Sequence, residues 1–324
     1  MSSALNMTKL SQPSVVIVIP AYNAGSFLKE AIESSLRQSY TECRLIVIND
    51  CSTDGTKQLL GEYVIDSRVT IVENLENKGK SESLNEVLPT IEEKYVALMD
   101  ADDVMYPHRI EKQVSYMEKN PNIGASSGFM EYISSDGRVI GNASLDLLTD
   151  EDAKRYEKNK EPFAIFCPCA ILRTAVFREE NLLFRKQFWP ADDIDMWNRV
   201  YETKWRVIAQ PEILMQYRIH GSSAVTSNYF RTRQQFEYVR ECMRARRRGD
   251  EELTHEEFLE MMAARPWWVR GNHWRKICAK GMYRSGGFDV AEGNYFGAAY
   301  KLAVAAMLQP IYVSHRLYQQ VGQR

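Results

Sequence analysis

The chain lacks the features that mark several specialised classes of protein. None of its six cysteines forms the C-x-x-C pair of a zinc or redox site, because Cys167-Pro-Cys169 is one residue too short. Residues 1–13 have no apolar core of the signal-peptide kind, and the apolar run at 295–308 is too short to cross a bilayer. We therefore expect reduced thiols, a cytoplasmic location and no spanning helix.

Excess charge of one sign is also missing from the chain as a whole. The 324 residues carry 41 Lys and Arg against 43 Asp and Glu, and we expect no nucleic-acid partner. The two parts of the chain differ, however. Residues 1–225 hold 25 basic and 33 acidic side chains, whereas residues 226–324 hold 16 and 10. An acidic body is thus followed by a basic C-terminal region.

The most informative stretch is residues 94–103, K-Y-V-A-L-M-D-A-D-D. Its apolar part, 95–99, predicts a short buried parallel strand whose end opens onto a site. If the extended backbone continues, Asp100 and Asp102 point the same way, and their carboxylates favour Mg²⁺ or Mn²⁺ between them. The alternative is a solvated acidic turn before a helix that starts near Pro107.

Three further strands, each followed by a polar loop and a helix, precede this stretch. They are predicted at 14–20, 44–48 and 69–72, with the next helices at 27–38, 56–63 and up to residue 88. This alternation predicts an α/β fold with a doubly wound, mainly parallel sheet whose polar loops line one edge. No G-x-G-x-x-G follows the first strand, which argues against a dinucleotide-dependent dehydrogenase.

Four segments in this order resemble a family 2 glycosyltransferase with the Rossmann-like GT-A fold. They are I-V-I-P-A-Y-N-A-G, I-V-I-N-D-C-S-T-D-G-T, N-K-G-K-S-E-S-L-N and V-A-L-M-D-A-D-D, all within about the first 110 residues. The resemblance implies a catalytic domain at 1–225, with a nucleotide-sugar half at 1–110 and an acceptor half at 111–225. It fades after residue 226, where composition predicts a helical extension at 226–324. The chain departs from the family at Asn49-Asp50-Cys51-Ser52, where Asp-Asp-Gly-Ser is usual.

The resemblance also implies a donor site. Tyr22 and Asp50 would hold the base, Asp100 would approach the ribose, and Lys80 or Asn85 would close the pocket, although Lys80 fits an ordinary surface lysine as well. The metal, Mn²⁺ or Mg²⁺, would be held by Asp102 and His220. The full set of expected nucleotide-sugar contacts is Pro20, Ala21, Tyr22, Asn23, Asp50, Gly79, Lys80, Asn85, Asp100, Ala101 and Arg218.

A second acidic motif, F-W-P-A-D-D-I-D-M-W-N-R-V, occupies residues 188–200. Its local pattern predicts a helix with an apolar stripe, and acidic residues at a helix start are favourable as simple caps. The resemblance instead implies that Asp193 is the catalytic base, with Asp192 and Trp189 near the sugars. A carboxylate there would take the proton of an acceptor hydroxyl in a single displacement that inverts the anomeric centre.

The segment Y-R-I-H-G-S-S at 217–223 resembles the family's loop over the diphosphate and metal, and it places Arg218 and His220 there. Beyond residue 226 the sequence predicts an arginine-rich helix at 231–248, an acidic helix at 251–264 and an apolar one at 295–308. Indoles alternate with cations at 266–276, which favours either packing on the catalytic domain or peripheral binding to an anionic membrane.

The combined expectation is a metal-dependent inverting glycosyltransferase. We expect the donor to be a nucleotide-sugar, specifically a UDP-sugar. The acceptor would be a glycan or a lipid-linked sugar in cell-surface polysaccharide synthesis. The alternative function is a non-catalytic nucleotide-sugar binding or scaffold protein of the same fold. Turnover of a panel of donors distinguishes the two.

Overall fold

The computed structural model of the protein describes residues 12–220, 228–291 and 293–321. Twelve α-helices and nine strands are found in these ranges. The strands are β1 Val15–Ala21, β2 Cys43–Asn49, β3 Val69–Glu73, β4 Tyr95–Leu98, β5 Val104–Met105, β6 Ile123–Ile133, β7 Val139–Ala143, β8 Ala170–Arg173 and β9 Arg206–Arg218. The helices are α1 Phe27–Leu36, α2 Thr56–Gly61, α3 Lys80–Val87, α4 Arg109–Lys119, α5 Asp150–Asn159, α6 Ala175–Arg178, α7 Asp192–Tyr201, α8 Tyr229–Arg248, α9 His255–Ala264, α10 Trp267–Ala291, α11 Tyr295–Leu308 and α12 Pro310–Val321.

The sheet begins with four parallel strands in the order β3-β2-β1-β4. Ala21 pairs in register with Asn49 and Asn49 with Glu73, so these three strands end at one edge. The β-branched run of β1 is almost completely buried, as expected for a central strand covered on both faces. The prediction of an α/β fold with these four strands is confirmed.

The sheet changes direction after β4. Strand β8 pairs antiparallel with β4, and β6 pairs antiparallel with β8. The path then continues through β9 to β5. The parallel half therefore carries the predicted doubly wound pattern, while the rest of the sheet is mixed.

Two elements between the motifs differ in how well the sequence predicts them. The segment S-S-D-G-R-V-I at 134–140 predicts a hairpin, which is confirmed because the end of β6 pairs antiparallel with β7 through Met130 and Ala143. Helix α5 was not predicted, although it begins with a capping box in which Thr149 and Asp152 exchange hydrogen bonds. Its sequence is almost entirely polar, which hides the apolar periodicity by which a helix is recognised.

The chain forms two compact units. The first contains the described residues of Met1–Phe129, Ile165–Leu183 and Val200–Met215, and the second those of Met130–Ala164, Phe184–Arg199 and Gln216–Arg324. The predicted boundary near 225 falls inside the second unit. There Phe188 and Ala191 share a core cluster with Tyr238 and Phe258. Whether 226–324 is a separable domain stays a prediction.

The C-terminal region is helical, as predicted. Helices α8 and α11 match the expected segments closely, and α9 begins later than expected, at His255, because Thr254 and Glu257 form a capping box. Among the described residues, none of the helices has the length and apolarity needed to cross a bilayer.

Candidate active site

In the first unit, the loops that follow β1 and β2 are joined by hydrogen bonds. The N–H of Asn23 donates to Ser52 Oγ at 3.1 Å, and Asn23 Oδ1 accepts from the Thr53 N–H at 2.8 Å. The Gly25 N–H donates to an Asp54 carboxylate oxygen at 3.1 Å. These contacts fix the predicted A-Y-N-A-G loop against its neighbour.

Tyr22 is the exposed aromatic residue of this loop. Its side chain is 51% exposed, whereas Ala21 is buried and Pro20 half-buried at the end of β1. An aromatic face open to solvent is suited to stacking against a nucleotide base. The exposure is compatible with the expected base contact, which stays a prediction.

Asp50 anchors the loop before α3. Its carboxylate accepts from the Lys78 N–H at 3.0 Å, the Gly79 N–H at 2.8 Å and Asn74 Nδ2 at 2.8 Å. Burial raises the pKa of Asp50, but these hydrogen bonds outweigh it and hold that pKa below its ordinary value. Gly79 adopts φ +83°, a conformation that favours glycine. A base contact would have to share this carboxylate with its three protein donors.

Three carboxylates follow β4 at the same edge. One oxygen from each of Asp100, Asp102 and Asp103 lies within 4.8 Å of the others. Asp103 is fully buried, and the other two are half-buried. Like charges at this spacing repel, and carboxylate oxygens are the ligands that Mg²⁺ and Mn²⁺ prefer, so the cluster fits a divalent cation.

The backbone here differs from the expected extension of the strand. Ala101 and Asp102 form a turn, and the Asp103 N–H donates to the Asp100 carbonyl at 3.4 Å. The prediction of an extended D-A-D is therefore wrong in its geometry. The turn is also what brings Asp103 to the cluster, a residue that spacing alone did not select.

Two basic side chains support the cluster. Lys80, the first residue of α3, forms an ion pair with Asp100; closure of the donor pocket by Lys80 stays a prediction, as does the alternative of an ordinary surface lysine. Arg109 is fully buried and donates to the carbonyl oxygens of Leu98 at 2.8 Å and Ala170 at 3.2 Å. Arg109 thereby ties the end of β4 to β8. Asn85 lies half-buried on α3.

In the second unit, the other acidic motif begins α7 as predicted. Asp192 and Asp193 lie in its first turn and are half-buried, while Met196 and Trp197 of the predicted apolar stripe are fully buried. Partial exposure leaves Asp193 accessible to an incoming molecule. Its role as catalytic base is an expectation that the geometry does not test.

Asp195, the third acid of this motif, has a different environment. It is fully buried and accepts hydrogen bonds at 2.9 Å from both Arg185 and Arg199. Glu252 joins the network by pairing with Arg185 at 2.9 Å and with Arg246 at 2.8 Å. This network holds α7 to the segment before it and to the region after α8.

The remaining expected site residues also lie in the second unit. Arg218 is buried and donates to the carbonyl oxygens of Ser134 and Ser135 at 3.3 and 3.2 Å. His220 is half-buried, and the segment that follows it lies outside the described residues. Trp189 is half-buried, with the Arg231 guanidinium 4.5 Å from its ring centroid. Contacts of these three with a donor or acceptor stay predictions.

Three arginines of the predicted arginine-rich helix, α8, are paired with acidic residues. Arg246 pairs with Glu252, Arg248 with Asp250 at 2.7 Å, and Arg244 with Glu241 at 3.1 Å. These acidic residues lie on α8 itself or directly after it, so part of the positive charge of the helix is compensated locally.

The residues of these sites that sequence analysis missed are buried or half-buried. They are Asn74, Asp103, Arg109, Arg185 and Glu252. Only Asp103 had a local signal, as the last acid of D-A-D-D. The others become visible through partners far away in sequence.

The solved structures that resemble this chain define its class. It is similar to the mannosyltransferase PcManGT from Pyrobaculum calidifontis, solved in complex with GDP-Man and Mn²⁺, with a TM-score of 0.57, 18% identity, and coverage of 92% of this chain and 86% of that one. It is also similar to S. aureus TarS 1-349 in complex with UDP-GlcNAc, with a TM-score of 0.56, 14% identity, and coverage of 93% and 92%. The protein has the GT-A fold of glycosyltransferases.

The sequence comparisons identify the family. The model of glycosyl transferase family 2 matches residues 16–179, and the chain belongs to that family. An uncharacterized glycosyltransferase of Haemophilus influenzae is 36% identical over 217 residues, which cover 65% of this chain and 67% of that protein. A putative teichuronic acid biosynthesis glycosyltransferase of Bacillus subtilis, TuaG, is 26% identical over 221 residues, or 67% of this chain and 83% of TuaG.

Proposed function

We propose that this glycosyltransferase moves a sugar, with inversion, from a UDP-sugar to a hydroxyl group of a glycan or lipid-linked acceptor in cell-surface polysaccharide synthesis, with Mn²⁺ or Mg²⁺ as cofactor. The observation that carries the proposal is the cluster of Asp100, Asp102 and Asp103, with Lys80 paired to it, at the carboxyl edge of the parallel strands. Ligands of open α/β sheets bind at that edge. The UDP-GlcNAc bound to TarS and the name of TuaG favour this donor and this role.

The donor would be held mainly by the first unit. The Tyr22 ring would stack on the base, and Asp50 would fix the loop that leads to Lys80 at the start of α3. Asp102, with Asp100 and Asp103 and with His220 as a further expected ligand, would hold the cation. When bound, that cation would offset negative charge on the departing diphosphate.

The transfer itself needs one proton acceptor from the chain. As the acceptor oxygen bonds to the anomeric carbon, the bond from that carbon to the diphosphate breaks, and its electron pair leaves with the nucleoside diphosphate. The hydroxyl proton passes to Asp193, which lies half-buried at the start of α7. Attack opposite the leaving group inverts the configuration, and no covalent intermediate on the protein is required.

A thermal-shift screen followed by a turnover assay tests the proposal. UDP with Mn²⁺ should raise the melting temperature more than UDP with EDTA, and more than ADP or CDP with Mn²⁺, because a ligand that binds only the native state stabilises it. A panel of UDP-sugars with glycan acceptors should then yield UDP. Stabilisation by UDP without transfer to any acceptor would favour the non-catalytic binding protein instead.

We also propose peripheral contact with an anionic membrane through the C-terminal region. Its support is the exposure of three indoles, 74% for Trp267, 60% for Trp268 and 52% for Trp274, since tryptophan favours the membrane interface. Trp267→Ser with Trp268→Ser should reduce co-sedimentation with anionic liposomes. Arg248→Gln, which removes an arginine paired to Asp250, is the matched control. Full-length protein that stays in the supernatant at low salt would contradict this part of the proposal.

A further inference from the structure

The second unit contains a cavity whose chemistry the transfer reaction does not use. Its volume is about 470 Å³, within the range of small-molecule sites. Its walls come from the β6–β7 hairpin and from helices α8, α10 and α12. None of its described lining residues belongs to either acidic motif.

Four basic side chains line this cavity. They are Arg233 on α8, Lys280 and Arg284 one turn apart on α10, and Arg316 on α12. Among the described residues that line it, none is Asp or Glu. Burial lowers the pKa of Lys280, and the charges of Arg233, Lys276 and Arg316 lower it further, as expected where like charges converge. The cavity is therefore a concentration of positive charge.

Aromatic packing gives the cavity firm walls. The rings of Tyr283 and Tyr312 pack edge to face with their centroids 5.7 Å apart. The rings of Tyr132 and Phe288 do the same with their centroids 6.5 Å apart. Tyr283 also belongs to a core cluster of the C-terminal helices. Because the helices that carry the basic side chains are already packed, their backbone loses little conformational freedom when a ligand binds, which favours binding.

Tyr229 provides a second observation that points to a ligand. It is the first residue of α8 and lines the cavity, and its ring approaches α10 at Gly281, where a Cβ would lie 2.8 Å from it. Its buried hydroxyl has no hydrogen-bond partner in the part of the chain that the structure describes. A buried hydroxyl is normally paired, and the start of a helix favours negative charge.

We propose that this cavity binds a phosphate ester or diphosphate group. Three guanidinium groups offer planar forks that match phosphate oxygens, Lys280 adds a point charge, and the Tyr229 hydroxyl can donate to the same anion. Both a soluble sugar phosphate and a lipid phosphate headgroup carry this chemistry. The inference does not depend on the transfer reaction.

The test is calorimetric titration of the full-length protein in EDTA, which keeps metal-dependent donor binding from contributing. Inorganic diphosphate and dihexanoyl phosphatidic acid are the probes, and dihexanoyl phosphatidylcholine is the uncharged control lipid. Arg233→Gln with Lys280→Gln should weaken binding about tenfold or more, since charge-assisted hydrogen bonds are lost. Arg270→Gln, which changes an exposed arginine on the same helix but outside the cavity, is the matched control.

Tyr229→Phe guards against a double variant that unfolds. It removes a buried hydroxyl that has no partner among the described residues, so the melting temperature should not fall, while affinity falls several-fold. Tight binding of diphosphate alone identifies a soluble phosphate ester, and tighter binding of phosphatidic acid identifies a headgroup. Absence of binding by both probes, equal weakening by Arg270→Gln, or full affinity in Tyr229→Phe and the double variant would each overturn the proposal.

Discussion

The chain carries two acidic motifs of similar composition, D-A-D-D at 100–103 and D-D-I-D at 192–195, and they have different environments. In the first, carboxylate oxygens converge within 4.8 Å, and Asp100 and Asp102 stay partly exposed. In the second, Asp195 is fully buried between Arg185 and Arg199, while Asp193, two residues earlier, stays partly exposed. The same residue type thus has one environment suited to binding and another suited to holding a helix in place.

The physical difference lies in where the compensating charge comes from. A carboxylate removed from water needs a partner in the protein, and Asp195 has two guanidinium groups. Carboxylates that converge at an accessible edge favour a cation from solution instead. Substitutions that remove one charge at a time can therefore separate function from stability within a single motif.

The largest effect is expected from Asp193→Asn. The amide keeps the size of the side chain but cannot accept the acceptor proton, so transfer should fall by roughly 10²–10⁴-fold while the affinity for UDP persists. Steady-state transfer rates and UDP titration of the same preparation measure the two. If Asp192→Asn is the inactive variant and Asp193→Asn is active, the assignment of the base is wrong by one residue.

Asp195→Asn should act on stability instead. It removes the buried negative charge that Arg185 and Arg199 both contact, and we expect the free energy of unfolding to fall by about 3–5 kcal/mol. Urea unfolding followed by tryptophan fluorescence measures this. Asp192→Asn, a half-buried residue in the same helical turn, should cost no more than about 1 kcal/mol. An equal decrease in the free energy of unfolding in the two variants would show that Asp192 and Asp195 do not differ in their contribution to stability.

Asp102→Asn probes the other motif. Removing one carboxylate from the cluster should weaken Mn²⁺-dependent UDP binding and reduce transfer on the order of 10²-fold, because a cation contributes several kcal/mol to charge stabilisation. The melting temperature without ligand should not fall, since the repulsion between like charges is reduced. Mn²⁺ dependence identical to that of the native protein would show that this cluster does not hold the metal.

The smallest effect concerns Asp50, whose pKa is lowered by the N–H groups it accepts from. Its stabilisation is fully present above the unfolded pKa of 3.8 and is lost as the pH falls through the lower folded value. Asp50→Asn should therefore lower the free energy of unfolding by about 1–2 kcal/mol near pH 6, and by less near pH 3. Urea unfolding of the native protein and the variant at both pH values measures this difference in the free energy of unfolding. A difference that is larger near pH 3 than near pH 6 would contradict the prediction.

Much of the first unit could be predicted from its sequence. The strands β1 to β4 are short apolar runs bounded by polar loops, and this pattern is local, so the parallel half of the sheet and its polar edge were expected correctly. The mixed half was not, because pairings such as Ser126 with Ile171 join segments far apart in the chain. Helix α5 was not predicted, because its polar sequence has no apolar stripe.

The sequence by itself determined the family, the order of the strands along the chain and two of the three acids that gather at the sheet edge, Asp100 and Asp102. These follow from motifs whose residues are neighbours in the chain. Only the tertiary structure decided which acids are buried, that Ala101 and Asp102 form a turn, and that Glu252 pairs with Arg185, a residue much earlier in the chain. The physical reason is that a charge is stabilised by whatever lies within a few ångströms of it, and those neighbours come from distant parts of the chain.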